Sequence, residues 1–435
     1  MKVPTVIRIK KRSLSGWLIW LLVMMPFFFA VLMEVLGLPN GMKYLLDMAW
    51  LGLGVLLVRG CRMLPAGLLR WVGAFALLTL VVYVVQWQSG LYYLWGLRNN
   101  FRFYAAFFAF CAFLRKGEGE GYLRKLDRLF WLNVPVTLTQ YFLLGKTGDY
   151  LGGIFGTAQG CNAYTNLFFC IVVLRSLVRF LAKQESWRSC LGKCFWALML
   201  AALAELKFFF LEFGIIAVLA VGFSDYSRRK IWVVLGAAAG VFAGAALLST
   251  LFPNFSGWFS LRWILDAAGS DRGYTSSGDL NRLNSIARIN QWFFHSPGYR
   301  LFGLGLGNCD TSAFPFLSTP FYRVFSRLHY TWMSVSFWYL EGGYLGLVFF
   351  FGFFALVFRA AGTLERRREG EQKLHCRMAR ILAVLCCLIG VYNASLRTEA
   401  AYMVYFVLAL PFSGQSREEG RRCVKILWRA TPNGS

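Results

Sequence analysis

The sequence has few charged residues and few groups suited to acid–base chemistry. Only 15% of its 435 residues are charged and only three are histidine, whereas a soluble protein of this length usually carries nearer a quarter charged residues. Apolar residues fill the chain instead, with 57% hydrophobic and 18% aromatic residues. Runs such as 17–38, 231–252 and 331–358 reach the roughly 20 residues that cross a bilayer. The composition therefore predicts a membrane protein.

Common catalytic signatures are also missing. No group of His, Cys and carboxylate residues has metal-site spacing, and the sequence contains no nucleophile elbow or kinase-like set. The glycines of 303–307 resemble a phosphate-cradling loop, but no strand–turn–helix pattern surrounds them. Nearly all of the eleven cysteines fall in predicted helices or basic segments, so no disulfide framework is expected. We expect the first apolar run to be a retained anchor, because no small-residue cleavage site follows it.

Acidic residues are scarce, which leaves a net charge of +25. The excess is concentrated in seven segments that hold 33 of the 46 Lys and Arg residues and 10 of the 21 acidic residues. Cationic loops stay on the side of the membrane from which a chain is inserted. The charge therefore indicates orientation and no nucleic-acid partner. The segments assigned to the cytoplasm are 1–16, 59–70, 115–128, 175–193, 224–230, 359–380 and 414–435.

Alternation of basic and non-basic connections predicts an all-α, polytopic membrane protein with about twelve transmembrane helices. Residues 1–435 form one integral membrane domain, with both termini cytoplasmic and one large periplasmic segment at 253–328. Residues 194–223 can be one long helix or a tight pair; we expect the pair, because it keeps every basic loop inside. The fourth helix is expected to begin near residue 101, after an outer loop that ends at Asn100.

Several polar residues fall near the outer ends of the predicted helices. A charge at the bilayer centre costs about 2.5–3.5 kcal/mol, so retained charges need a reason. As a set these residues predict a polar cavity that opens outward, and Arg98 in the outer loop joins them as a candidate for substrate binding. The set is Glu34, Asp47, Arg102, Glu205, Lys207, Glu341, Arg397 and Glu399.

The predicted periplasmic segment uses arginine and no lysine as its cation. Guanidinium groups bind phosphate oxygens in a bidentate fork, whereas lysine acts as a point charge. This usage suits capture of a diphosphate, although we expect at least four of the seven arginines to be ordinary surface residues. His329, where the segment re-enters the membrane, suits proton exchange near neutral pH, while His375 is expected in a basic cytoplasmic loop. The arginines are Arg262, Arg272, Arg282, Arg288, Arg300, Arg323 and Arg327.

Several short motifs follow one another along the chain. A Gly-rich loop at 152–156 precedes the Ala-Glu-Leu-Lys of 204–207, and the outer segment then carries 281–286 and 301–307. His329 and the Glu-Gly-Gly-Tyr-Leu-Gly of 341–346 follow. This order resembles the O-antigen polymerase and O-antigen ligase superfamily of bacterial envelope glycan enzymes. The resemblance in topology covers nearly the whole chain, whereas the residue-level resemblance is confined to about 200–350.

The resemblance implies a glycosyltransferase that is independent of metals and cofactors and acts on the periplasmic side of the inner membrane. Arg282, His329 and Lys207 would be catalytic, with Lys207 standing where ligases often carry arginine. Its partners would be undecaprenyl-diphosphate-linked oligosaccharide, membrane lipid and a separate chain-length regulator protein. The candidates for substrate binding are Arg98, Arg102, Arg288, Glu205, Glu341 and Arg397.

Besides a non-catalytic membrane scaffold, three functions are compatible with the sequence. A polymerase would join repeat units into O-antigen, capsule or exopolysaccharide. A ligase would use the same chemistry to move finished glycan to lipid A core or another acceptor. A transporter or flippase of lipid-linked sugars would need a charged path through the middle of the bilayer, and the sequence pattern does not predict one.

Overall fold

The computed structural model describes residues 11–60, 64–225, 227–251, 279–312 and 314–414. Every regular element in these ranges is helical. Residues 253–278 of the predicted periplasmic segment, with Arg262 and Arg272, lie outside the described residues, as do residues 1–10 and 415–435. The all-helical prediction is confirmed for the part that is described.

Fifteen α-helices follow one another along the described ranges, and shorter 3-10 turns join several of them. They are α1 (Lys11–Met24), α2 (Leu45–Gly60), α3 (Ala66–Val85), α4 (Gly90–Phe113), α5 (Glu118–Phe142), α6 (Asn162–Leu181), α7 (Trp187–Leu203), α8 (Lys207–Phe223), α9 (Arg229–Leu251), α10 (Ser285–Trp292), α11 (Pro297–Phe302), α12 (Pro320–Phe325), α13 (Ser334–Glu365), α14 (Gly370–Tyr392) and α15 (Ala401–Ala409).

Five helical stretches are long and apolar enough to cross a membrane: Asn40–Val58, Ala66–Val85, Asn162–Leu181, Ser334–Glu365 and Gly370–Tyr392. Two shorter apolar stretches, Leu14–Phe27 and Ala401–Phe412, accompany them. The protein is therefore a helical membrane protein by length and composition of its helices. Backbone groups in hydrocarbon must be bonded internally, which explains why helices are used.

The helices form a bundle with α6 and α14 at its centre. Of the apolar window in α6, 89% is buried, against 72% in α14 and 22% in α3. The peripheral helices turn large apolar side chains outward, among them Leu77 and Val84 of α3. Such a surface suits lipid rather than water.

Local sequence explains where several helices begin. The hydroxyl of Ser186 accepts a 3.3 Å hydrogen bond from the backbone N–H of Ser189 and caps the first turn of α7. Glu118 and Glu120 occupy the first turn of α5, where carboxylates interact favourably with the helix dipole. Gly117, immediately before α5, takes the left-handed conformation with φ +85°.

The two ends of the bundle differ in charge. At one end Glu120 of α5, Arg179 of α6 and Glu371 of α14 form ion pairs. The connections here are the basic segments that the sequence assigns to the cytoplasm, and we call this the basic end. Residues 279–312 and 314–333 lie at the opposite end, where Arg282 bonds to the last turn of α14. We call that the loop end.

The predicted helical pair between residues 194 and 223 is confirmed as two helices. α7 ends at Leu203 and α8 begins at Lys207. Glu205 between them has φ +53°, and the backbone N–H of Lys207 donates to the carbonyl oxygen of Glu205 at 2.8 Å. This tight turn reverses the chain at the loop end, so the basic connection at 224–229 returns to the basic end.

Two expectations are wrong. The outer loop expected to end at Asn100 is already helical, because α4 begins at Gly90. Asn100 is buried and its side-chain amide donates to the carbonyl oxygen of Gly96 within the helix. His375 lies inside α14 and is buried, rather than in a loop. Polar residues obscured both helices, because the partners of Arg98, Asn99 and His375 are remote in sequence.

Candidate functional site at the loop end

A glycine-rich loop of the outer segment packs against a break in α13. Gly343 interrupts that helix with φ +58° and ψ −155°, a conformation that essentially only glycine adopts. The break frees the carbonyl oxygen of Leu340, which accepts a 2.7 Å hydrogen bond from the backbone N–H of Leu304. The glycines of 303–307 therefore permit close backbone packing, which explains them without a phosphate ligand.

Glu341 holds the same loop in place. One carboxylate oxygen accepts a 3.1 Å hydrogen bond from the backbone N–H of Cys309, and the residue is 1% exposed. Tyr330 donates to the carbonyl oxygen of Cys309 at 2.7 Å. Burial of Tyr330 raises the pKa of its phenol, which stays a donor. These contacts show that Glu341 anchors the loop, and its predicted role in substrate binding stays a prediction.

Three of the predicted polar residues, Asp47, Arg98 and Arg397, belong to one network across α2, α4 and the segment after α14. Arg98 donates from its Nε atom to Asp47 Oδ2 at 3.0 Å. Asn99 donates to Asp310 Oδ2 at 2.7 Å, and Arg397 lies 3.3 Å from the other oxygen of Asp310. The structure thus brings Arg98 and Arg397 together through Asp310 and Asn99, as a cavity at this end would require.

Arg102 lies deeper in the same network. One of its amino groups donates to the carbonyl oxygen of Arg397 at 3.1 Å and lies 3.6 Å from Glu399 Oε1. Its side chain is only 4% exposed, and its Nε and Nη1 atoms have no hydrogen-bond partner among the described residues. Buried guanidinium donors normally have partners. Arg102 therefore retains donors for an anion or water.

Glu399 balances the charge of Arg102. Burial opposes ionisation of Glu399, but the charges of Arg102 and Lys43 and a donated hydrogen bond outweigh it. Together they hold the pKa of this carboxyl below its usual value. The hydrogen bond comes from the hydroxyl of Tyr164 at 2.5 Å. The pair is therefore charged at neutral pH.

Arg282 and Phe208, the residue that follows Lys207, contact the same aromatic ring. Arg282 donates from Nε to the carbonyl oxygen of Tyr392 at 2.6 Å, and its guanidinium lies 4.3 Å from the centre of that ring. Phe208, adjacent to Lys207, stacks on the same ring at 4.0 Å and 3°. Arg282 is thus attached to the last turn of α14, and Lys207 lies close by, at the first residue of α8, where Arg282 acts on it electrostatically.

Carboxylates surround Lys207 as well. Glu205 lies 4.0 Å from the ammonium group, and Glu205 also lies against Gly148 of the preceding outer loop. Asp149 is close enough to act electrostatically on Lys207, as is Arg282. The predicted substrate residue Glu205 therefore lies beside the catalytic candidate Lys207, where it offsets part of the positive charge.

His329 is attached to the same segment as Arg282. Its Nδ1 atom lies 3.4 Å from Asp279 Oδ2, and Leu280 donates to the carbonyl oxygen of Leu328 at 3.0 Å. The imidazole stacks on Trp332 at 3.9 Å. A carboxylate on Nδ1 with the other nitrogen directed elsewhere is the arrangement of an oriented general base.

Two contacts of Arg288 are with residues of its own helix. It donates to Gln291 at 3.0 Å, and its guanidinium lies 5.6 Å from the ring of Trp292. Arg323 is exposed and donates to the carbonyl oxygen of Pro315. These two therefore fit the expectation that several outer arginines are surface residues, and the predicted role of Arg288 in binding gains no support.

Sequence reasoning missed three carboxylates. Asp279 and Asp310 are 4% and 3% exposed, and the buried partners of each lie far away in sequence. Glu212, fully buried within α8, accepts hydrogen bonds from Asn166 at 2.9 Å and Cys170 at 3.3 Å. For Glu212 the available signal was an acidic residue within an otherwise apolar run. An ionisable residue inside a membrane segment is by default a candidate for a functional role.

At the basic end, Glu120, Glu371 and His375 bring three potential metal-ligand atoms within 4.8 Å of one another. The spacing of these residues in sequence gave no sign of the cluster. Arg175 and Arg179 already pair with Glu120, and Arg179 with Glu371. These cations oppose a metal ion at the same carboxylates.

No protein-family model matches the chain, and no curated protein matches it. The site itself therefore carries the functional argument, together with the motif resemblance. The loop end gathers Arg282, Lys207 and a carboxylate-paired His329 around the ends of α8 and α14. Fixed cations can stabilise negative charge that develops on a phosphate group, and an oriented imidazole can exchange a proton.

Proposed function

We propose that the chain is an inner-membrane polysaccharide polymerase. In this proposal about twelve spans place the loop end on the periplasmic face and both termini in the cytoplasm. The substrate is an oligosaccharide repeat unit linked to undecaprenyl diphosphate, and the product is O-antigen, capsule or exopolysaccharide. The observation that carries the proposal is that Arg282 binds Tyr392, on whose ring Phe208 beside Lys207 also stacks, and that Arg282 acts electrostatically on Lys207. Asp279, three residues before Arg282, pairs with His329.

The chemistry follows from the leaving group. The acceptor hydroxyl oxygen forms a bond to the anomeric carbon of the donor, and the bond from that carbon to the diphosphate oxygen breaks. The electron pair leaves with the diphosphate, and Arg282 and Lys207 stabilise its growing charge. His329 takes the proton of the acceptor hydroxyl at the nitrogen not paired with Asp279.

Arg102 and its neighbours fit the second substrate position. Arg98, Arg102 and Arg397 lie in one polar network with Asp310 and Glu399 at the loop end. Carboxylates and arginines arranged alternately offer hydrogen bonds to sugar hydroxyls. This part of the site would orient the acceptor.

Reconstitution tests the activity. The purified full chain in liposomes, given a lipid-linked repeat unit, should yield products of two or more repeats, measured by mass spectrometry of released glycans. Single repeats alone would contradict the polymerase. The glycans of a strain that lacks the gene distinguish a polymerase from a ligase. Loss of a polymerase leaves single repeats, whereas loss of a ligase leaves long unattached chains.

Cysteine labelling tests the sidedness. Arg323→Cys at the loop end and Lys183→Cys at the basic end replace exposed residues. An impermeant maleimide added to intact spheroplasts should label the first variant and spare the second, relative to the unsubstituted chain. The opposite pattern would place the loop end in the cytoplasm and end the proposal.

A transporter of lipid-linked sugars is the second candidate, because Glu212 places an ionisable group inside the bundle. Its Oε1 atom has no hydrogen-bond partner among the described residues. Glu212→Gln should abolish movement of a labelled lipid-linked sugar across proteoliposomes if the chain is a transporter. A polymerase should keep its product lengths in this variant.

A further inference from the structure

The basic end contains an open cavity of about 690 Å³ between α8, α13 and α14. Seven Lys and Arg side chains and three carboxylates line it, together with Phe223 and Phe358. The positive-inside rule accounts for cations on this face but does not require them to surround one cavity.

The neighbouring charges on the same face are arranged differently. Arg175 lies against Glu120 and Asp127, and Lys193 lies 3.2 Å from Asp127 and 3.0 Å from Glu185. There, buried cations and carboxylates neutralise one another within the bundle. The cavity between α13 and α14 instead keeps an excess of four positive charges on its walls.

Two guanidinium groups in the cavity are held in fixed positions. Glu365 accepts from Arg377 Nε at 2.8 Å and from Arg380 Nη1 at 2.6 Å. Arg380 also lies between two rings, 3.9 Å from the centre of Phe223 and 4.9 Å from that of Phe358. Its Nε atom is buried without a hydrogen-bond partner among the described residues. A guanidinium fixed in this way loses little freedom when it binds an anion.

At the rim, Arg366 and Arg367 complete the cavity. Both are exposed, and the described residues give neither an ion-pair partner. They follow directly after Glu365, at the point where α13 ends. The cavity thus combines two aromatic side chains, two guanidinium groups held in place by Glu365 and two exposed guanidinium groups at one end of a membrane helix.

We propose that this cavity is a binding site for a phosphate-bearing anion, separate from the loop-end site. Arginine forks match phosphate oxygens, and basic pockets between membrane helices on the cytoplasmic side suit anionic lipid head groups. The phosphate group is the shared chemistry of two sources, an anionic phospholipid and a soluble phosphate. Phe223 and Phe358 line the cavity at the end of the membrane helices, and such apolar rings favour the phospholipid over a soluble phosphate.

The test uses the purified full chain in neutral detergent, titrated with phosphatidylglycerol, phosphatidylcholine or inorganic pyrophosphate. Native mass spectrometry gives the bound fraction. The R366Q/R367Q variant should bind phosphatidylglycerol about 30-fold more weakly, since each cation near an anionic lipid contributes a factor of about five. The matched control is R124Q/R128Q, which removes the same charge from exposed positions of α5 outside the cavity.

Specific weakening in the cavity variant, with phosphatidylglycerol preferred over phosphatidylcholine, supports a lipid site. If the unsubstituted chain binds pyrophosphate tightly, shows no lipid preference and loses this binding in R366Q/R367Q, the site is supported and its ligand is a soluble phosphate. Equal weakening in both variants, or no anion binding by the unsubstituted chain, overturns the proposal. Polymer formation is measured separately, so failure here is distinguishable from failure of the proposed activity.

Discussion

Arg282 is fixed to Tyr392 in two ways: its Nε donates to the carbonyl oxygen at 2.6 Å, and its guanidinium lies 4.3 Å from the ring centre. A lysine at this position could supply charge but not the planar group that does both. The orientation of the remaining guanidinium nitrogens is therefore set by α14, whose last turn also contacts Phe208 beside Lys207.

Arg282→Ala should lower the rate of polymer formation by about 10²–10³-fold, the usual effect of removing one group that stabilises developing charge. Arg282→Lys should still lose about tenfold or more, because the ammonium group cannot reproduce both contacts with Tyr392. The measurement is initial rate in liposomes at equal protein levels. Arg323→Lys, an exposed arginine of the same segment, is the control and should retain the unsubstituted rate. Full activity of Arg282→Lys would contradict an oriented clamp.

His329 and Asp279 should act as a unit. His329 has φ +52°, so His329→Asn is the informative variant, because asparagine tolerates the left-handed conformation and removes only the imidazole. We expect a loss of about 10²–10⁴-fold for that variant, the usual range for a general base. Asp279→Asn should lose activity too, and the double variant should be no worse than His329→Asn alone. Additive losses would mean that the two side chains contribute separately.

Much of the helix order follows from the sequence, because loop charge and apolar length are local properties. The turn at Glu205 was predictable in this way, since only a helical pair returns Arg228 and Arg229 to the basic end. The start of α4 was not predictable. The run Arg98–Asn100 is polar, as a loop would be. It is compatible with a helix because Asp47 binds Arg98 and Asp310 binds Asn99, and these contacts exist only in the folded protein.

Some residues of the candidate site could likewise be predicted from the sequence, and others could not. Residue type and the motif resemblance identified Arg282, Lys207 and His329, and the structure brings the first two together. Asp279 and Tyr392 were missed, because only tertiary contacts give them meaning: each is joined to its partner across 50 residues or more. Arg288 shared the residue type of Arg282 but bonds within its own helix.

The Arg102–Glu399 pair makes a prediction about acid stability. The pKa of Glu399 is lower in the folded protein than in an unfolded chain, so its contribution is full above the unfolded pKa. The contribution is lost as pH falls through the folded pKa. Glu399→Gln keeps a partner for Tyr164 but leaves Arg102 without its charge, and should cost about 3 kcal/mol or more at neutral pH.

Thermal unfolding in detergent between pH 3 and pH 7 measures the effect. The difference in Tm between Glu399→Gln and the unsubstituted chain should be largest at pH 7 and should shrink towards the acid side. Glu369→Gln, which replaces an exposed carboxylate at the basic end, serves as the control. A difference that is constant with pH would show that the charge of Glu399 does not matter.

Gly343 and Gly342 offer the sharpest comparison of neighbouring positions. A Cβ on Gly343 would lie 2.5 Å from the carbonyl oxygens of Arg300 and Leu301, whereas a Cβ on Gly342 would meet nothing within 4 Å. Backbone atoms cannot move aside as a flexible side chain can. The φ of +58° and ψ of −155° at Gly343 add a conformational cost of about 1–3 kcal/mol for any other residue.

Gly343→Ala should therefore destabilise the loop end by about 1–3 kcal/mol or more, whereas Gly342→Ala should not destabilise it. The second variant should be neutral or stabilising by up to about 1 kcal/mol, because alanine favours a helix over glycine. Hydrogen exchange of the backbone N–H of Leu304 reports on the contact directly, since that group donates to Leu340 across the break. Faster exchange is expected in Gly343→Ala and unchanged exchange in Gly342→Ala. If both variants behaved alike, the glycine-rich loop would not depend on the break in α13, and another contact would have to position Arg300 and the residues that follow it.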